Sequence, residues 1–276
     1  MVSLGRPRVL RVAPPLRFES GTPWAAHRRA DRVVLLAHWS DRPTVSRSVV
    51  ELVTQFRRLG YDVVIVSAAE VPGALQWPSG DWPDGVSVFR RKNIGYDFGS
   101  WAQALAELPG LTQSRLVVMA NDSLVGPFGP LDEIVSGMEA DPHPVWGLVS
   151  TTQDRPHLQS HFIAYREGVL GTPRLRAFWQ DVRVERTKRD LVVRYEIGLS
   201  VALRRQRLGM GIGFPGENVV HHGGNPTSQG WRRLLLWGFP FVKRELVLRP
   251  PPEVPDVQDV SAVVRELFDQ NVREWV

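Results

Sequence analysis

Between residues 32 and 67 the chain switches twice between two hydrophobic patterns. Residues 32–38 carry an unbroken Val-Val-Leu-Leu-Ala run, the pattern of a strand buried on both faces of a parallel sheet. Val45, Val49, Leu52, Val53, Phe56 and Leu59 then recur at helical spacing, between Pro43 at the start and Gly60 at the stop. Residues 61–67, Tyr-Asp-Val-Val-Ile-Val-Ser, return to the buried-strand pattern. Strand, helix and strand joined by short loops form a βαβ unit with a right-handed crossover.

Short apolar runs predict further strands at 86–90, 115–120, 144–150 and 161–165, with helices over 100–108 and 131–138. Residues 68–85, rich in Pro, Gly and Trp, predict a loop. Beyond 165 the pattern is less regular. Helices are expected over 174–182, 197–207 and 229–236, a glycine-rich segment over 209–216, and a terminal helix over 260–275 after the Pro250-Pro251-Pro252 break. Residues 185–189 read as a solvated charged connection. The fold class is α/β: a Rossmann-type, mostly parallel sheet flanked by helices, with a mixed C-terminal half that would take an acceptor. Residues 1–30, basic and proline-rich without a period, read as an arm. Residues 31–249 read as the main domain, and 250–276 as a linker and C-terminal helix.

Composition narrows the partners. The 276 residues suffice for one sizeable core, and 43% hydrophobic with 23% charged residues is ordinary for a soluble globular chain. The absence of cysteine excludes disulfides and thiolate metal sites. No run approaches the ~20 apolar residues of a membrane span, and the basic N-terminus lacks an apolar signal core, so a cytoplasmic location is expected. The formal charge of +5 is carried almost wholly by arginine, which suits phosphorylated ligands or an anionic membrane surface. No helix has a one-sided basic stripe and no nucleic-acid motif is present, so nucleic acid is not an expected partner.

In an open parallel sheet, ligands bind beyond the carboxyl ends of the strands. Polar clusters follow predicted strands at 38–41, 91–97 and 121–123; a fourth, at 157–161, precedes its strand and joins the others only if that strand runs antiparallel. Asn121-Asp122-Ser123 interrupts a buried run and is followed by Gly126, Pro127, Gly129 and Pro130. Such a strand end can hold a ribose, a diphosphate or a divalent cation, or it can be an ordinary turn. In residues 93–99, Gly95 and Gly99 allow close backbone approach, and a helix N-terminus follows for an anion; alternatively Asp97 only caps that helix. Glu196 is either a general base or a helix-start carboxylate favoured by the macrodipole. His221 and His222 are either solvated loop histidines or metal-ligating imidazoles. The aromatic and basic stretch 231–248 is either core or a membrane-surface contact.

Taken in order, Arg-Lys-Asn-Ile-Gly-Tyr-Asp-Phe-Gly-Ser-Trp (91–101), Asn-Asp-Ser-Leu-Val-Gly-Pro (121–127), His-Leu-Gln-Ser-His-Phe (157–162), Tyr-Glu-Ile-Gly-Leu-Ser (195–200), Asn-Pro-Thr (225–227) and Gly-Phe-Pro-Phe-Val-Lys (238–243) form a specific set. On these motifs the chain resembles the rhamnan synthesis protein F family of glycosyltransferases over residues 32–248. The resemblance implies a glycosyltransferase-A-type fold, a nucleotide-sugar donor such as dTDP-L-rhamnose, a glycan or lipid-linked glycan acceptor, and work on bacterial surface polysaccharide. On that reading His38, Arg91, Asn93, Gly95, Asp97, Asn121 and Asp122 bind the donor. Glu196 deprotonates the acceptor hydroxyl in an inverting transfer, and His157, Gln159 and His161 contact the acceptor. The usual Asp-x-Asp of that fold is here Asn121-Asp122-Ser123, with one carboxylate. Either Asp122 and His222 share a Mg²⁺ or Mn²⁺, or arginines carry the diphosphate without metal. The alternative function is a non-catalytic nucleotide- or glycan-binding module of the same fold.

Overall fold

The unbroken apolar run of residues 33–37 has a simple cause: alternate side chains feed two different cores. Val34 and Leu36 pack on one face of the sheet with Val49, Val53 and Phe56, whereas Val33, Leu35 and Ala37 pack on the other with Phe98, Trp101 and Trp179. The computed structural model describes residues 5–24, 30–108 and 110–276.

In chain order the first elements are α1 (Val9–Val12), β1 (Arg17–Gly21), β2 (Arg32–His38), α2 (Arg47–Arg58), β3 (Asp62–Ser67), β4 (Val86–Arg90) and α3 (Tyr96–Glu107). The middle of the chain supplies β5 (Leu116–Asn121), β6 (Leu124–Val125), α4 (Asp132–Ala140), β7 (Val145–Thr151), β8 (His157–Leu158), β9 (Phe162–Arg166) and α5 (Pro173–Gln180). Then come α6 (Lys188–Leu191), a π-helical turn (Val192–Glu196), α7 (Ile197–Arg205), β10 (Met210–Phe214), α8 (Trp231–Leu236), β11 (Val242–Lys243), α9 (Arg244–Leu248) and α10 (Val260–Phe268).

A nine-stranded sheet has the order β1-β4-β3-β2-β5-β9-β7-β10, with β8 paired to β7. Strands β2, β3, β4 and β5 run parallel. β9 is antiparallel to both β5 and β7, so β7, and β10 beside it, point the same way as β5. All these parallel strands end at one edge. Because β9 runs the other way, the segment leading into it reaches that same edge, which meets the condition set by the sequence for residues 157–161. The mixed α/β architecture expected from the pattern is present, with its large, mostly parallel sheet flanked by helices. A third cluster, joining Val125, Phe128, Trp231, Val264 and Trp275, fastens the C-terminal segment onto the stretch after β6.

Several local expectations are corrected. Within the expected arm, residues 17–21 form an edge strand paired antiparallel to β4, with Glu19 bonded to Arg90 at 3.0 Å; residues 1–4 and 25–29 of that arm lie outside the described residues. The glycine-rich segment holds β10. A Cβ on Gly211 would meet the Asp141 carboxylate at 2.4 Å, and one on Gly213 the Trp146 ring at 2.6 Å. Glycine is there for close approach, which hid the strand. Glu185 is not solvated but buried: it accepts from the Tyr195 hydroxyl at 3.1 Å and pairs with Arg6 and Arg194. The expected terminal helix breaks after Phe268, and a 3₁₀ turn, Val272–Trp275, completes the chain.

Candidate active site

The floor of the site is the carboxyl end of β5. The Asn121 side-chain amide donates to Asp97 Oδ2 at 2.8 Å, while its carbonyl accepts from the Ser123 backbone N–H at 3.1 Å and from the Ser123 hydroxyl. Asp122 Oδ2 accepts the backbone N–H of Trp39 at 2.9 Å, just past the end of β2. The ends of β2 and β5 and the first turn of α3 are thereby tied in one line, Trp39–Asp122–Asn121–Asp97. His38 closes the wall behind it, buried, with Nδ1 3.0 Å from Ser67 Oγ across to β3. Burial pulls its pKa down, against the pull of Asp122, so it stands neutral.

Arg91 is turned into the protein. It is buried, with Nε donating to Gln103 at 3.0 Å, Nη1 to Ser100 at 2.9 Å and to the Tyr96 carbonyl at 3.3 Å, and Nη2 to the Ile94 carbonyl. Burial draws its pKa down to about 10, against Asp97 and Glu107. Its guanidinium therefore shapes the 94–100 turn. Gly95 sits at φ 81° as the N-cap of α3, where a Cβ would meet Val9 Cγ2 at 2.7 Å. Asn93 is exposed on this loop. Asp97 does not cap α3; its carboxylate is turned across to Asn121. Burial, with the nearby carboxylates of Asp122 and Glu196, pushes its pKa up to about 7, although the Asn121 hydrogen bond and Lys188 oppose this.

The opposite wall is residues 157–161, held by the continuous helical run of α6, the π turn and α7. Glu196 Oε2 accepts from the Ser160 backbone N–H at 2.8 Å and from the Ser160 hydroxyl; Oε1 lies 3.3 Å from His157 Nε2. The other ring nitrogen of His157 donates to the Arg155 carbonyl at 2.7 Å. Burial pushes the Glu196 pKa up, but the bonds from His157 and Ser160 prevail and hold it down at about 2. One turn on, Ser200 Oγ accepts the Leu158 backbone N–H at 3.1 Å. Glu196 lies inside a continuous helical stretch that begins at the Thr187 cap, so the helix-start explanation falls away.

Gln159 and His161 are buried. Gln159 Nε2 donates to Asn225 Oδ1 at 3.2 Å. Asn225 Oδ1 also accepts from the backbone and hydroxyl of Thr227, which gives the Asn-Pro-Thr motif its local reason. His161 Nε2 is without a hydrogen-bond partner among the described residues, and burial pulls its pKa down to about 3.

The sequence reading missed the cations. Arg244 donates from Nε to the Asp122 carbonyl at 2.9 Å and from its backbone to the Ser123 carbonyl at 2.8 Å. Lys243 bonds Glu245 Oε1 at 3.3 Å and acts electrostatically on His161, and Lys188 acts on Asp97. The motif around 238–243 was visible, but only the β11–β6 pairing brings it behind Asp122.

Among the described residues no three His, Asp or Glu side chains are gathered to hold an ion. His222 is exposed, on a loop pinned by a bond from the Gly223 backbone N–H to Thr152 Oγ1 at 2.9 Å, past the end of β7.

A family model described as rhamnan synthesis protein F matches residues 63–244, from β3 to the start of α9. The chain belongs to the rhamnan synthesis protein F family. The matched span contains every candidate site residue except His38. The chain is 24% identical over 200 residues to virulence protein VirA of Vibrio anguillarum, covering 60% of this chain and 64% of that protein. It is 28% identical over 139 residues to uncharacterized protein y4gN of Sinorhizobium fredii, covering 48% of this chain and 36% of that protein. The chain thus spans less than two thirds of the length of these curated relatives.

Proposed function

We propose that this chain is a glycosyltransferase of bacterial polysaccharide synthesis, moving a sugar from a nucleoside diphosphate to a hydroxyl of a glycan acceptor. Membership of the family supports a role in rhamnan synthesis, with rhamnose as the sugar and a glycosyltransferase-A-type fold as the finer parts of the reading. The observation that carries the enzymatic part is the pairing of walls: Asp122, Asn121 and Asp97 along one side, and the ionised Glu196 on the other.

In this reading Asp97, Asn121 and Asp122 hold the ribose and the near end of the diphosphate. Lys188, Lys243 and Arg244 offset the negative charge that grows on the leaving diphosphate. A divalent cation arriving with the diphosphate would find Asp122 as its carboxylate. Glu196 accepts the proton of the acceptor hydroxyl as that oxygen attacks the anomeric carbon. The bond to the diphosphate oxygen breaks with its electron pair leaving on the diphosphate, so a single displacement inverts the anomeric configuration.

Glu196→Gln is expected to abolish transfer while donor affinity stays near wild type; wild-type turnover in that variant would remove Glu196 from the role. A non-catalytic binding module is the second reading, favoured by the single carboxylate at 121–123. Incubating the protein with nucleoside diphosphate sugars and no acceptor separates the two, because a transferase slowly hydrolyses its donor and a binding module leaves it intact.

A further inference from the structure

Helix α8 is amphipathic in an unusual sense. Its inner side buries Trp231, Leu234 and Leu235. Its outer side presents Arg232, Arg233, Leu236 and Trp237, with Leu236 65% and Trp237 44% exposed. These four positions fall at i, i+1, i+4 and i+5, one face of the helix and its C-terminal turn. Two apolar side chains left in water beside two guanidinium groups call for a partner that satisfies both.

The patch is held rigidly. The Trp237 ring packs edge-on against Phe214 with centroids 5.2 Å apart. Phe214 is the last residue of β10, whose outer edge pairs with no other strand among the described residues and exposes Ile212 to 41%. Because β10 runs parallel to β7, Phe214 and Trp237 lie at the same edge of the sheet as Asp122. In sheet order β10 is three positions from β5, roughly 15 Å at ordinary strand spacing. Among the described residues Arg232 meets only the half-exposed Asp259 at 3.3 Å, and Arg233 bonds a neutral carbonyl, that of Val219, at 3.2 Å. The face therefore keeps positive charge.

We propose that this face of α8 docks the protein onto an anionic lipid bilayer. Leu236 enters the apolar boundary, the Trp237 ring sits at headgroup level with its body apolar and its N–H wet, and Arg232 and Arg233 bind lipid phosphates. A second copy of the chain fits less well, because a two-fold contact through this patch sets arginine against arginine. Docking here brings the catalytic edge of the sheet close to the membrane surface, where a lipid-borne acceptor would be met.

The test is sedimentation of the full chain with vesicles of phosphatidylglycerol and phosphatidylcholine in equal parts, and with phosphatidylcholine alone. Wild type is expected to bind the anionic vesicles and to be released by salt. The double variant R232S/R233S should bind them roughly 25-fold more weakly, at about fivefold per arginine. L236S/W237S should lose binding about tenfold or more, and R232S/R233S should keep the wild-type melting temperature. Wild type left in the supernatant at low salt overturns the proposal, as does R232S/R233S binding like wild type. Concentration-dependent dimerisation abolished by L236S/W237S, without vesicle binding, would make the patch a self-association surface and also overturn it. No donor is needed, so failure here is separate from failure of the transferase reading.

Discussion

The Asn121 carboxamide donates to the Asp97 carboxylate at 2.8 Å, joining the end of β5 to the first turn of α3. That single hydrogen bond faces a carboxyl group whose pKa is pushed up to about 7 by burial and by neighbouring carboxylates. The site thus holds a charge that the fold itself disfavours. A carboxyl group with a folded pKa above its unfolded value contributes stability at pH below the unfolded pKa of about 3.9, and that contribution is lost as pH rises through the folded value near 7.

Asp97→Asn is therefore expected to stabilise the protein at pH 8, with an upper limit of about 4 kcal/mol for a shift of about three units. At pH 4 the gain should vanish, because Asp97 is then neutral in the folded wild type. Donor binding should weaken in the same variant, since stability and function oppose each other at such sites. Denaturant melts at both pH values decide it; an equal difference at pH 4 and pH 8 would show that Asp97 does not titrate as described.

Ser160→Ala removes one of the two hydrogen bonds that Ser160 donates to Glu196 and should raise the Glu196 pKa from about 2. The wild-type carboxylate contributes stability above its unfolded pKa and loses it as pH falls toward 2. The variant should lose that contribution at a higher pH and be about 1–2 kcal/mol less stable at neutrality. Acid melts of the two proteins that superimpose between pH 2 and pH 5 would contradict this.

Arg91→Lys keeps the charge but cannot reproduce a planar fork reaching Gln103, Ser100 and two carbonyls. We expect a loss of about 2–4 kcal/mol from unsatisfied buried groups, together with weakened donor binding through a loosened 94–100 turn. Calorimetric donor titration at a temperature where the variant is still folded separates the two effects. Unchanged donor affinity there would mean that the turn takes no part in the site.

Asp122→Ala should weaken donor binding in titrations with and without Mn²⁺, and Arg244→Ala should do so to a smaller extent, because it supports the Asp122 carbonyl. His222→Ala should leave both titrations unchanged, given its exposed position past β7. A loss confined to Mn²⁺ in His222→Ala would mark that residue as a metal ligand.

The sheet was legible where a residue's pattern depends on its own layer. The run at 33–37 reads as doubly buried because both faces of β2 carry cores. The strand-end clusters could be named, and the antiparallel run of β9 brings residues 157–161 to the same edge as the rest. What stayed hidden depends on distant neighbours. β10 is written in glycines because Asp141 and Trp146 press on its backbone. Glu185 resembles surface charge until Arg6, Arg194 and Tyr195 close over it. The cations Lys188, Lys243 and Arg244 come from segments that only tertiary folding places beside Asp97, His161 and Asp122.

The π-helical turn at Val192–Glu196 sets a phase. Lys188 and Glu196 both act on Asp97 from the same helical run. Eight residues of straight α-helix would leave them about 80° apart around the axis, at about 100° per residue. A π turn absorbs one extra residue, so the two stand as if seven apart, within about 20° of one line. Lysine and glutamate thus leave the helix on one side, and both act electrostatically on one aspartate. Were the same eight residues wound as straight α-helix, every side chain of the site would be kept, yet the lysine would swing about 80° out of line with the glutamate.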